Sequence, residues 1–170
     1  GDIILVVGTR GGHLGQSLWL RDVHGREEGP PPPVDLTAER AAGDLIRAGI
    51  AAGQLTAVHD VADGGVAVTI AEMALAGNIG AMIDRKQPFD CARSFFAEDQ
   101  GLYIVTIDDH AMLDFLTAAH NAGVDVEPMG RTGGKRLIFE RPDRDDVVTL
   151  DALRTVHEGF FPKLMDATLA

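Results

Sequence analysis

Three short segments hold most of the side chains that could do chemistry. The first is His59-Asp60-Val61-Ala62-Asp63-Gly64-Gly65, an imidazole, two carboxylates and a glycine pair in one tight connection. Backbone N–H groups at such a helix start suit an anion. Asp60 and Asp63 also offer the oxygen ligands that Mg²⁺ prefers. A purely local role fits the same residues, with Asp63 capping the next helix and Gly64 letting it pack closely. The second segment, Glu98-Asp99-Gln100-Gly101, sets two carboxylates and an amide before an apolar run. They could grip hydroxyl or amide groups of a ligand, or form a solvated turn. The third, Gly11-Gly12-His13-Leu14-Gly15-Gln16-Ser17, follows an apolar run, where phosphate loops sit. It has neither the Gly-Lys-Ser/Thr of a Walker A loop nor the dinucleotide fingerprint, so an ordinary strand-to-helix turn also accounts for it.

The candidates for binding a nucleotide or substrate are therefore His59, Asp60, Asp63, Gly64, Gly65, Glu98, Asp99 and Gln100. No catalytic residue and no metal-ligand set is assigned. The six histidines, His13, His24, His59, His110, His120 and His157, lack zinc spacing, and Cys91 has no cysteine partner. His110 and His120 are expected on the surface of one amphipathic helix, and Cys91 as a half-buried structural thiol.

The elements that must position these residues follow from apolar patterning. Ile3 to Val7 is a continuous β-branched and leucine run, a buried strand. Ser17 to Val23 reads as a short helix, and Gly25 to Pro33, with Pro30 to Pro33 in a row, as a stiff surface loop. Leu36, Ala41, Leu45, Ile46 and Ile50 have helical spacing up to Gly53, with Thr37 expected as N-cap. Leu55 to His59 is a strand. Asp63 is expected to cap a buried helix from Gly65 to Leu75. Gly80 to Ile83 reads as a strand, Lys86 to Arg93 as a loop or short turn, and Leu102 to Ile107 as a strand. Asp108 or Asp109 caps a helix that ends at Gly123. Val124 to Arg131 and Lys135 to Glu140 flank Gly133-Gly134, a hairpin signal. Thr149 starts a last helix that Pro162 is expected to kink or end. Strands and helices mix throughout, so the class is α/β or α+β, and the hairpin signal argues against a purely parallel sheet.

Composition narrows the partners. The chain has 170 residues, the size of one domain, and 45 % are hydrophobic. A net charge of -11 argues against a nucleic-acid surface and against docking on an anionic membrane. No apolar run has the length of a membrane span. The lone cysteine fits a reducing, cytoplasmic setting. The opening Gly1-Asp2, without an initiator Met or leader, gives the expectation of a domain excised from a longer chain.

The motifs in order carry a resemblance. They are Gly-Gly-His-Leu-Gly-Gln-Ser at 11–17, Pro-Pro-Val-Asp-Leu at 32–36, His-Asp-Val-Ala-Asp-Gly-Gly-Val-Ala-Val at 59–68, Ala-Glu-Met-Ala at 71–74, Phe-Ala-Glu-Asp-Gln-Gly at 96–101 and Met-Gly-Arg-Thr-Gly-Gly at 129–134. The series resembles the last domain of the formylglycinamide ribonucleotide amidotransferases of the PurL type. These belong to the superfamily of aminoimidazole ribonucleotide synthetase, thiamine monophosphate kinase, selenide water dikinase and a hydrogenase maturation factor. The resemblance implies a mixed sheet flanked by helices, as in the AIR synthase C-terminal domain. It implies a parent ligase that converts formylglycinamide ribonucleotide to the amidine with ATP, Mg²⁺ and ammonia from glutamine. In that parent, each of two repeats is an ATP-binding half followed by an α/β half, and this chain resembles the second α/β half. ATP, Mg²⁺ and the catalytic histidine then belong to the rest of the parent, and no ligand is expected on this chain alone. The implied partners are the missing halves, a glutaminase subunit and a small bridging subunit. The resemblance departs at Ala62, where the family has Ser, and at Leu102, where Arg commonly follows the turn. A lost hydroxyl and a lost charge point to an auxiliary or structural role. A non-catalytic nucleotide- or phosphosugar-binding or structural module of another member of the same superfamily is the alternative.

Overall fold

The computed structural model describes residues 1–84, 91–141 and 144–168. Among these residues seven strands form one sheet: β1 (Ile3–Val7), β2 (Leu55–Asp60), β3 (Ala81–Ile83), β4 (Tyr103–Ile107), β5 (Val126–Thr132), β6 (Arg136–Phe139) and β7 (Asp146–Thr149). Their order is β2-β4-β1-β5-β3-β6-β7. Every neighbouring pair is antiparallel except β3 with β6. The helices are α1 (Leu36–Ala51), α2 (Gly65–Gly77), α3 (Cys91–Phe96), α4 (Asp109–Ala122) and α5 (Leu150–Thr168), and Trp19–Val23 forms a single π-helical turn.

The strand β1 sits centrally, and all five of its residues are buried. Side chains on a strand alternate between faces, so β1 feeds two cores. Ile4 and Val6 meet Val66 and Ile70 of α2, Ile104 and Met129. Ile3, Leu5 and Val7 meet Leu45 and Ile46 of α1, and Phe115 and Ala119 of α4. The result is three layers, with α1 and α4 on one face and α2, α3 and α5 on the other. The expected mixed sheet flanked by helices is what forms.

Several local expectations need correction. The two strands around Gly133-Gly134 do not form a hairpin, because β3 lies between β5 and β6. The glycine turn instead brackets Gly80, which donates to Gly134 O at 2.9 Å and accepts from Gly133 N at 2.7 Å. Spreading the two strands over β3 buries Ala81 and Ile83, which a hairpin would have left unpaired. The cap of α1 is Asp35, whose carboxylate accepts from Thr37 N and Ala38 N, so Thr37 is a donor inside the first turn. The α2 helix is half-buried rather than buried, with Val66, Thr69, Ile70 and Ala74 inward and Val68 37 % exposed. Cys91 is exposed at the start of α3, not half-buried. Lys86 to Asp90 lie outside the described residues, while Cys91–Phe96, expected as a loop or turn in part, is helical. Pro162 lies inside α5, which runs on to Thr168. The ring removes one N–H from the ladder, a loss tolerated where every residue from Phe160 to Asp166 is exposed.

Candidate functional site

The register of the sheet brings the three suspect segments to one end. The last residue of β1, Val7, lies opposite Tyr103, the first of β4. The last residue of β2, Asp60, also lies opposite Tyr103. The glycine loop after β1, the His59–Gly65 connection after β2 and the Glu98–Gly101 turn before β4 must therefore meet. The ladder extends into that junction, where Val61 N donates to Leu102 O at 2.9 Å. The neighbouring strand joins as well, since Gly8 N donates to Asp125 O and the Thr9 hydroxyl to Asp125 Oδ2 at 2.7 Å.

Within the junction the carboxylates of Glu98 and Asp99 turn inward. Asp99 is only 8 % exposed. Its Oδ2 accepts from Gly11 N at 3.1 Å and Gly12 N at 2.9 Å, and its Oδ1 from His13 N at 3.1 Å. Glu98 Oε1 accepts from Leu18 N at 2.9 Å and Gly64 N at 2.8 Å. One turn thus stitches together two loops far away in sequence. Gln100 is exposed beside them. Leu102 is 2 % exposed and belongs to the core, so that position supplies no charge to the loops.

The His59–Gly65 connection is built differently. Asp63 does not cap α2: Gly64 occupies the N-cap position at φ 81°, with no side-chain cap there. A side-chain cap normally needs an extended residue, and the left-handed pair Gly64 and Gly65 excludes that geometry. Glu98 instead accepts the N–H of this N-cap residue, from across the junction. Gly65 lies so close to α3 that a Cβ would stand 2.6 Å from Ala97 O. The exposed members are Asp60, Ala62 and Asp63. His59 sits between acids, with Nδ1 at 2.7 Å from Asp60 O and Nε2 at 3.3 Å from Glu72 Oε2. Arg21 of the π-helical turn is held above its ordinary value by its hydrogen bond to Asp22, with Asp63 adding a minor attraction.

A cleft of about 300 Å³ opens beside the junction, lined by Thr9, Asp35, Glu39, Gln100 and Asp125 among others. Among the described residues its lining includes no Lys or Arg. A smaller, largely apolar pocket of about 220 Å³ lies under α2, between Ile4, Ile70, Met73 and Ile104. Among the described residues, no group of three or more His, Cys, Asp or Glu is placed to hold a metal ion. No helix among them is long and apolar enough to cross a membrane. His110 and His120 are exposed on α4.

Arg10 belongs to no sequence motif and joins the site only through the fold. Its side chain is 7 % exposed, donates to Ser94 O at 2.7 Å and pairs with Glu127 at 3.3 Å. It fastens the glycine loop to α3 and β5. Its only signal was a charged residue beside a buried strand. The proline segment is more than a surface loop. Glu28 and Gly29 accept from Gln16, and Pro30 O lies 2.8 Å from His13 Nε2, so it straps the glycine loop from outside.

Comparison with known proteins gives a consistent set of likenesses. The family described as AIR synthase related protein, C-terminal domain, matches residues 1–140. The phosphoribosylformylglycinamidine synthase subunit PurL of Zymomonas mobilis is 48 % identical over 167 residues, 97 % of this chain and 22 % of that protein. The same subunit of Rhodopseudomonas palustris is 46 % identical over 166 residues, with the same shares covered. The chain spans about a fifth of the curated relatives it matches. Among solved structures, Thermotoga maritima PurL complexed with FGAR matches with a TM-score of 0.73 at 18 % identity, over 90 % of this chain and 28 % of that one. The Escherichia coli hydrogenase maturation protein HypE matches at 0.63 and 21 %, over 88 % and 50 %. At those identities the structures establish the fold.

Proposed function

The chain belongs to the family of AIR synthase related C-terminal domains, and from that premise we propose that it is one domain of a phosphoribosylformylglycinamidine synthase. The parent is an ATP-dependent carbon–nitrogen ligase of de novo purine synthesis in the cytoplasm. It turns formylglycinamide ribonucleotide and glutamine-derived ammonia into the amidine. The observation that carries this reading is the 44–48 % identity to PurL subunits along 97 % or more of the chain. The alternative, a non-catalytic nucleotide- or phosphosugar-binding or structural module of another member of the superfamily, has only a likeness of fold behind it, to the hydrogenase maturation protein HypE.

The role of this domain is to shape and support the site rather than to perform the chemistry. The cleft beside the junction is lined by acids, and among the described residues no group of three or more His, Cys, Asp or Glu is placed to hold a metal ion. Mg²⁺ and ATP are assigned to the rest of the parent, which also provides the docking partners, with a glutaminase subunit and a small bridging subunit. Of the candidate residues, His59, Asp60, Asp63 and Gln100 are the ones left to face that assembly. Gly64, Gly65, Glu98 and Asp99 hold the frame behind them.

The test is complementation in a purified system. This chain alone is expected to form no amidine from ATP, substrate and ammonia. The parent lacking this segment is expected to be inactive, and the two parts together to regain turnover. Full activity of the truncated parent would remove the domain from the reaction.

A further inference from the structure

We infer that the Gly11–His13 loop is an oxyanion cradle whose permanent occupant is this chain's own Asp99, and that it takes free phosphate only when that carboxylate is removed. The inference rests on the loop geometry and not on the reaction proposed above.

Three consecutive backbone N–H groups converge on one carboxylate, at 3.1, 2.9 and 3.1 Å. Successive N–H groups curled around a point make the concavity by which proteins bind phosphate oxygens. The local backbone is built for it, with Gly12 left-handed at φ 69°. Gly11 lets the anion approach, because a Cβ there would stand 2.9 Å from Asp99 Oδ1. The loop follows a buried strand, where phosphate cradles are found. Here the oxygens come from a residue 86 to 88 positions away.

Two observations say the cradle would outlast its occupant. Arg10 fastens one side of the loop to Ser94 O and Glu127. The segment from Glu28 to Pro30 straps the other through Gln16 and His13. The 300 Å³ cleft reaches the same spot, since Gly11 and Asp99 both line it, so a small anion has a way in. In the native chain the seat is taken, and Asp35, Glu39 and Asp125 along the cleft oppose a second anion. Phosphorylated ligands are therefore excluded from this loop by an internal substitute.

The experiment is thermal unfolding of Asp99→Ala in inorganic phosphate against chloride at equal ionic strength. The variant is expected to gain about 3–6 °C from phosphate at ten times its Kd, while the native chain gains no more than in chloride. The double variant Gly11→Ala/Asp99→Ala should lose that gain, because the added Cβ intrudes on the oxygen position. Equal response of the single variant to phosphate and chloride overturns the inference. So does equal phosphate stabilisation of the double variant, which would mean adventitious anion binding. If Asp99→Ala does not fold in chloride, refolding in phosphate decides: recovery supports the cradle, and failure there rejects it.

Discussion

Two acidic segments lie side by side at one end of the sheet and are put to opposite uses. The Glu98–Asp99 pair points inward and accepts five backbone N–H bonds from loops that begin 34 to 88 residues away. The Asp60–Asp63 pair stays exposed, with Asp63 not even closing the helix beside it. Each segment carries two carboxylates and ends in glycine. The difference is what stands opposite. A carboxylate facing unpaired amides becomes part of the frame, since leaving those buried N–H groups without an acceptor is costly. A carboxylate facing solvent is free to meet something else.

The sharpest way to break this contrast is Asp99→Ala in plain buffer. It strands three amides around a site that is 8 % exposed. We expect a loss of about 3 kcal/mol, a fall in Tm of roughly 6–12 °C by calorimetry. A change within experimental error would mean water replaces the carboxylate at no cost.

The two framing acids also differ from each other. Both bonds to Glu98 end on the same oxygen, Oε1, and Gln keeps an equivalent carbonyl. Asp99 uses both of its oxygens, and Asn must turn an NH₂ toward at least one amide. Chemical denaturation should therefore show Asp99→Asn losing about 2 kcal/mol and Glu98→Gln less than about 1 kcal/mol. The reverse order would contradict the hydrogen-bond assignment.

On the open side the readout is kinetic. In the full-length parent, Asp60→Asn is expected to lower turnover about tenfold, the worth of about 1.4 kcal/mol in a barrier. Its own stability should hardly move, because the Asp60 side chain is 72 % exposed. Unchanged rate and unchanged ATP affinity would leave the segment with a structural role only. The smallest effect belongs to Asp63→Ala. With no cap to lose, its stability should stay within about 0.5 kcal/mol of the native chain. A loss nearer the 1 kcal/mol typical of a removed N-cap would restore Asp63 as a cap.

Much of the frame was legible because periodicity and punctuation agree. The run Ile3 to Val7, the helical spacing from Leu36 to Ile50 and the stop at Gly123 each carry a local signal, and each element forms there. The meeting of His59–Gly65 with Glu98–Gly101 was legible only as two suspicious segments. The errors lie where a distant chain competes with a local pattern. Gly133-Gly134 has the composition of a hairpin turn, yet β3 enters between its flanking strands. Asp63 precedes a helix as caps do, yet Glu98 reaches the helix start first. Asp35 takes the cap of α1 from Thr37 through a two-residue shift that propensity alone does not resolve.

By itself the sequence determined the class of fold, the buried central strand, the acidic character and, through the ordered motifs, the family. These rest on side-chain type and on spacing along the chain, which are local and survive any rearrangement of the elements. Tertiary structure alone decided the strand order, the partner of each carboxylate and the side of the junction that stays open. Those depend on which backbone amides lack a partner once the sheet has formed. Asp99 shows why: its role is set by Gly11, Gly12 and His13, and only the pairing of β1 with β4 brings them within 3.1 Å.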